Sequence, residues 1–165
     1  MYKDILKTAD YLQLIRESEN GAYVLFNIPS KFVDDKDFII EASKIDARSL
    51  LSASNSVLSF EKKKIIAQYL DKKIKRTKNF LKSFDLTKDF DYQIAKNTAQ
   101  FRAKFSFAEK LGIDEKNIGF FTNDIENRVS GDNKELLNWI LTDVAKEIDK
   151  EREKRLNLKK DSIVK

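Results

Sequence analysis

The chain has 165 residues, of which 41% are hydrophobic and 36% are charged, with four glycines and one proline. This composition supports one packed domain, and the scarcity of Gly and Pro favours helices over a strand-rich fold with many tight turns. The absence of cysteine and histidine excludes disulfides, Cys/His zinc sites, thiol nucleophiles and a histidine general base. The net charge of +5 permits an anionic partner without requiring one.

The amino-terminal third predicts three short helices. Apolar residues recur every three or four positions over residues 4–18, and Asn20-Gly21 would end this first helix. The next segment, AYVLFNIPSKF, could form a strand, but we predict a short helix. Asp34 and Asp35 predict the start of the helix KDFIIEASK, because carboxylates cap the free N–H groups of a helix. Its inward residues would be Phe38, Ile39 and Ala42.

A spacing of about 25 residues relates two parts of this region. The positions Leu25, Ile28, Phe32, Phe38/Ile39 and Ala42 recur as Leu50, Ala53, Val57, Ile65/Ile66 and Ala67, with a weaker third copy at Phe121, Ile125, Val129, Asp132, Leu136 and Leu137. The pattern resembles a bacterial and giant-virus repeat family of unknown function with units of roughly 24 residues. The resemblance covers residues 20–70, with an echo at 118–145, and implies stacked short-helix pairs but no chemistry.

The rest of the chain predicts three longer helices. One would run from an N-cap at Ser59 to about Phe84 and act as the central helix. A loop or short turn follows, and then a helix over 92–111, with Ile94, Ala95, Phe101, Phe105 and Ala108 inward, ending at Leu111-Gly112. After a loop at 112–131, the last helix begins near Asp132, with Leu137, Ile140, Leu141, Val144 and Ile148 inward. We therefore predict one all-α domain over 1–150, and a charged extension over 151–165 that is either an exposed helix or a frayed tail.

The predicted helix at 60–84 carries the strongest candidate for a binding site. Four of its lysines fall near one side of a continuous helix, and such a stripe could follow a phosphate backbone, meet an acidic protein surface, or simply be solvated. The candidate binding residues are Lys62, Lys63, Lys64, Lys72, Lys73, Lys75, Arg76, Lys78 and Lys82. The basic residues beyond position 145 alternate with acidic ones, which is typical of a solvated helix.

The sequence offers two other candidate sites, an aromatic surface and a calcium-binding loop. Aromatic residues between lysines could stack on nucleic-acid bases, but their helical spacing favours core packing. They are Phe80, Phe84, Phe90, Tyr92, Phe101, Phe105 and Phe107. A calcium loop centred on Gly119 or Gly131 fails, because neither frame supplies alternating oxygen ligands or Glu at the twelfth position. We expect no metal, no cofactor and no catalytic residues.

Two functions follow from these observations. The first is a non-enzymatic interaction protein that binds and occludes a larger protein or ribonucleoprotein complex. One concrete form is a phage or mobile-element inhibitor of a host nucleic-acid-handling or defence complex, in the manner of anti-CRISPR proteins. The second is direct RNA or DNA binding through the basic helix. No segment approaches roughly 18 apolar residues and the amino-terminal stretch lacks a signal-peptide core, so we expect a cytoplasmic protein with no membrane partner.

Overall fold

Seven α-helices and one 3₁₀ helix make up the part of the chain that the computed structural model describes, which is residues 8–17, 28–70, 77–112 and 129–164. Within these ranges the side chains of 77–79 and 161–164 are not described. The elements are α1 (Thr8–Glu17), α2 (Ser30–Val33), α3 (Lys36–Ile45), the 3₁₀ helix Ala47–Ser52, α4 (Phe60–Leu70), α5 (Thr77–Lys82), α6 (Asp89–Lys110) and α7 (Asp132–Val164). These ranges contain no strand, and the predicted all-α domain is confirmed.

Local capping fixes the helix starts that the sequence predicts. The Asp35 carboxylate accepts from the backbone N–H of Asp37 at 2.9 Å and thereby caps α3. The Ser59 hydroxyl accepts from the N–H of Lys62 at 3.3 Å at the start of α4. Each cap satisfies an N–H group that has no partner inside its helix. Both predicted caps are confirmed.

The end of α6 is set by a glycine. Gly112 has φ of +78°, a left-handed conformation that a side chain disfavours. In this conformation its N–H donates to the carbonyl of Glu109 at 3.0 Å, while the N–H of Leu111 donates to the carbonyl of Phe107 at 3.2 Å. These bonds satisfy carbonyl groups of the last turn. The predicted stop at Leu111-Gly112 is confirmed.

The predicted single helix from Ser59 to Phe84 is wrong. The rings of Tyr69 in α4 and Phe80 in α5 stack with their centroids 4.0 Å apart. In one continuous helix, residues eleven positions apart lie roughly 16 Å apart along the axis, and their side chains could not meet. Helices α4 and α5 therefore fold onto each other, and the central element is α6.

Helix α6 lies at the centre of the fold, as the burial of its side chains on several sides shows. Ile94, Ala95 and Phe101 are among its buried residues, as predicted. The largest cluster joins α6 to α1, α3 and α4, and two smaller clusters lie between α6 and α7 around Leu137 and Ile148. Helix α7 packs extensively on α6. It continues to Val164, so the extension over 151–164 is helical.

The repeat interpretation stays a prediction. Within its first copy Phe38, Ile39 and Ala42 are buried, and in the second copy Leu50 and Ile66 are buried. Ala67, the counterpart of Ala42, is exposed. Some positions of the pattern lie outside the described residues, namely Leu25, Phe121 and Ile125, as does most of the predicted loop at 112–131.

Asp46 gives the fold a testable dependence on pH. Its buried carboxylate accepts from the N–H of Arg48 at 2.9 Å and caps the 3₁₀ helix. Burial raises the pKa of Asp46 from its ordinary value of 3.8, although the Arg48 N–H and guanidinium oppose this effect. The unfolded chain therefore releases this proton at lower pH than the folded chain. The stability that the group contributes is present below pH 3.8 and is lost as the pH rises towards its folded-state pKa.

We expect the free energy of unfolding of Asp46→Asn, minus that of the original chain, to increase as the pH rises. The asparagine oxygen can still cap the 3₁₀ helix, but it carries no charge that burial would penalise. The free energy of unfolding of both chains, measured by urea denaturation between about pH 3 and pH 7, checks this. A constant difference over that range would contradict the assignment.

Candidate interaction surface

The nine candidate basic residues do not form one stripe. Lys62, Lys63 and Lys64 lie on α4, and Lys82 is the last residue of α5. Because α4 and α5 are separate helices, the spacing along a continuous helix no longer applies to them. Lys72, Lys73, Lys75 and Arg76 lie outside the described residues, as does the side chain of Lys78. Among the nine candidates, the exposed side chains that the structure describes are Lys64 on α4 and Lys82 on α5.

Lys62 faces the interior. Its Nζ lies 2.5 Å from Oδ2 of Asp91, and the two side chains are 30% and 6% exposed. The same carboxylate oxygen accepts from the N–H of Asp85 at 2.9 Å. The Lys62 ammonium also lies 5.8 Å from the ring centroid of Phe84. This lysine holds α4 against the start of α6, and its charge is already neutralised.

The other two lysines of α4 differ in their surroundings. Lys63 donates from Nζ to Oδ1 of Asn55 at 3.1 Å, and burial lowers the pKa of its ammonium group. Lys64 is exposed. Lys64 is therefore the lysine of α4 that is exposed and can contact an anionic partner.

Phe60 adds a large apolar group to the same surface. It is the first residue of α4, and its side chain is 71% exposed. Lys64 lies one turn further on, on the same face of the helix. Tyr69, nine positions later, is buried, and a helix turns half-way round between such positions. The nine-residue spacing between Phe60 and Tyr69 is the feature of the sequence from which the outward position of Phe60 could have been predicted.

The candidate aromatic residues pack in the core. Six of the seven are buried, and Phe90 is half-buried with the Lys36 ammonium 5.7 Å from its ring centroid. The buried six are Phe80, Phe84, Tyr92, Phe101, Phe105 and Phe107. Their helical spacing therefore predicted core packing correctly, and they are not available to stack on bases.

Two arginines of the basic carboxy-terminal region also face the body of the protein. Arg155 donates from Nη1 to the carbonyl of Phe84 at 2.8 Å and from Nη2 to the carbonyl of Leu81 at 3.1 Å. Arg152 pairs with Asp89, and its guanidinium lies 4.1 Å from the ring centroid of Tyr92. These contacts dock the middle of α7 on α5 and α6, whereas Lys159 and Lys160 are exposed.

A polar cavity of about 260 Å³ lies between α3 and α6. Its lining includes Lys44, Lys96 and the amide side chains of Gln93 and Gln100. The Lys44 ammonium lies 2.8 Å from the Glu41 carboxylate, so the positive charge of Lys44 is partly neutralised. The cavity is polar enough for water, and its lining singles out no particular ligand.

Of the acidic pair that the sequence places before α3, Asp35 serves as its cap. Over the described ranges, no group of three or more acidic residues is placed to hold a metal ion. No helix in those ranges is both long and apolar enough to cross a membrane.

Comparison with known proteins gave no relative: no family model, curated protein or solved structure matches the chain.

Proposed function

We propose that this chain is a non-enzymatic interaction protein that binds and occludes a surface of a larger protein or ribonucleoprotein complex. The observation that carries the proposal is Phe60, which is 71% exposed at the start of α4. Leaving a phenylalanine ring in water forgoes roughly 2 kcal/mol of burial. A partner that covers the ring recovers this energy, and large aromatic side chains commonly contribute much of the energy of an interface.

The charge beside this ring indicates the kind of partner. Lys64 is exposed one turn from Phe60, and Lys82 is also exposed on α5. An acidic rim around an apolar pocket would complement this arrangement, because rim charges guide association while the buried ring supplies affinity. An inhibitor of a host nucleic-acid-handling or defence complex, encoded by a phage or mobile element, is the specific form that we propose from the size and composition of the chain.

The test is capture of a defined complex by the tagged chain from its source cells. We expect Phe60→Ala to reduce capture by roughly ten-fold or more, as is usual when a central contact of an interface is lost. Lys64→Glu should also reduce capture, because it places like charges across the rim. Lys160→Glu is the matched control, because it reverses the charge of another exposed lysine and leaves α4 intact. Circular dichroism confirms that each variant is folded. Equal capture by all four chains would contradict the proposal.

Direct nucleic-acid binding is the second candidate, because an exposed ring beside ammonium groups can stack on a base. The pairing of Lys62 with Asp91 and the burial of six of the seven candidate aromatic residues favour a protein partner. If the purified chain binds RNA or DNA at about 100 mM salt, with affinity that falls steeply as salt rises and is lost in Lys64→Glu, this second function replaces the first.

A further inference from the structure

Helix α7 carries four large apolar side chains that its own fold leaves exposed, and for two of them more than half of the surface is exposed. Trp139 is 66% exposed and Leu158 is 61% exposed. Other residues of this helix, such as Leu137 and Ile148, are buried against the rest of the protein. The helix has 33 residues and is therefore roughly 50 Å long. Its outward side is a long surface with apolar groups near both ends.

Four exposed charges lie between these two side chains on the same face of α7. They are Asp143, Glu147, Lys150 and Lys154. Going from Trp139 to Leu158, the steps are four, four, three, four and four residues, so all six side chains project from one side of the helix. The hydrogen bonds and ion pairs found among the described residues include none for these four charges.

The order of these residues is self-complementary about the midpoint between Ile148 and Asp149. Reading outward from that point in opposite directions, Glu147 corresponds to Lys150, Asp143 to Lys154 and Trp139 to Leu158. In an antiparallel pair of identical helices centred there, corresponding residues of the two copies lie at the same level. Asp143 and Glu147 then each meet a lysine, and both indole rings meet a leucine.

We propose that this face of α7 binds a second copy of the chain, forming an antiparallel dimer with two-fold symmetry. Such an interface uses the same patch on both subunits and must be self-complementary, as this face is. A parallel pair would instead bring Asp143 against Asp143 and Lys154 against Lys154, which costs energy. Within one copy, like charges also lie one turn apart, and the antiparallel partner relieves this repulsion.

A shallow groove along the same face provides a place for the indole ring. Its lining is Lys150, Glu153, Lys154, Asn157 and Leu158, all from α7. In the antiparallel arrangement, Trp139 of the second copy lies at the level of this groove. The ring would pack against the leucine side chain and the aliphatic stem of Lys154, whose ammonium group meets Asp143 of the second copy.

The dimer can be measured without labels because Trp139 is the only tryptophan of the chain. We expect sedimentation equilibrium to show a concentration-dependent dimer, and the tryptophan emission to shift to shorter wavelength as the dimer forms. Trp139→Ala should raise the dissociation constant by at least about ten-fold. A chain that stays monomeric at every concentration tested, or that dimerises equally well with Trp139→Ala, would overturn the proposal.

Charge exchange distinguishes this interface from another dimer or a misfolded variant. Asp143→Lys alone and Lys154→Asp alone should each weaken the dimer, because each places like charges at the same level. The double variant should restore dimerisation, since the pairs are re-formed with their signs reversed. Failure of the double variant to recover, with helicity unchanged by circular dichroism, would count against the antiparallel pairing.

Because the chain has no cysteine, crosslinking can establish the direction of the helices. A mixture of Asp143→Cys and Lys154→Cys chains should form a mixed disulfide under mild oxidation, in preference to either self-linked product. Self-linked Asp143→Cys chains would instead indicate a parallel pair and refute the proposed geometry.

Discussion

Asp91→Ala is expected to lower the free energy of unfolding by about 3 kcal/mol. The Asp91 carboxylate is almost fully buried and accepts from both the Lys62 ammonium and the N–H of Asp85. Its removal leaves the amide without this acceptor and leaves the ammonium without its counter-charge, while Lys62 can reach water only in part. Urea denaturation followed by circular dichroism measures the difference in unfolding free energy.

The control for this variant is Asp89→Ala. Asp89 is an aspartate of the same helical turn and is 91% exposed, so its ion pair with Arg152 is screened by water and its loss should change stability little. Asp91→Asn should fall between the two, because the amide oxygen can accept the Asp85 N–H without supplying the charge. Similar losses for Asp89→Ala and Asp91→Ala would show that the buried ion pair is not what stabilises this junction.

Arg155→Ala should destabilise the protein by about 2 kcal/mol. The guanidinium of Arg155 donates to the carbonyls of Leu81 and Phe84, at the end of α5 and just beyond it. A cation near a helix carboxyl end also opposes the partial negative charge of the carbonyl groups there. Loss of the side chain removes both effects and separates α7 from α5, so the midpoint of thermal unfolding should fall.

Arg155→Lys tests whether the geometry or only the charge matters. A lysine keeps the positive charge but cannot direct two N–H groups in the fixed fork of a guanidinium. We expect it to recover less than half of the lost stability. Lys146→Ala is the matched control, because Lys146 is an exposed basic residue of the same helix and its loss should be nearly neutral. Full recovery by Arg155→Lys would show that charge alone is sufficient.

The positions of most helices followed from the sequence because the signals that set them are local. Spacing by three and four placed Ile94, Phe101 and Leu137 in the core, where the structure has them. Caps at Asp35 and Ser59 depend on N–H groups no more than three residues away. Such interactions are encoded in a short window, and they do not depend on how the rest of the chain folds.

The environment of each basic residue could not be predicted from such local signals. Lys62 and Lys64 are two positions apart in a lysine run, yet one is paired inside and the other is exposed. The partner of Lys62 is 29 residues away, and the carbonyl groups that bind Arg155 are more than 70 residues away. Composition counts all of these charges alike, so it overestimated the basic surface available to a partner.

By itself, then, the sequence determined that this chain is helical, where most helices begin and end, and which sides of them are apolar, because a helix repeats every 3.6 residues. Tertiary structure decided that α4 and α5 fold back on each other and that α6 is central. It also decided which charged side chains are paired within the fold, and it left the rings of Phe60 and Trp139 exposed. These outcomes depend on long-range packing, which brings together groups that no short stretch of sequence contains.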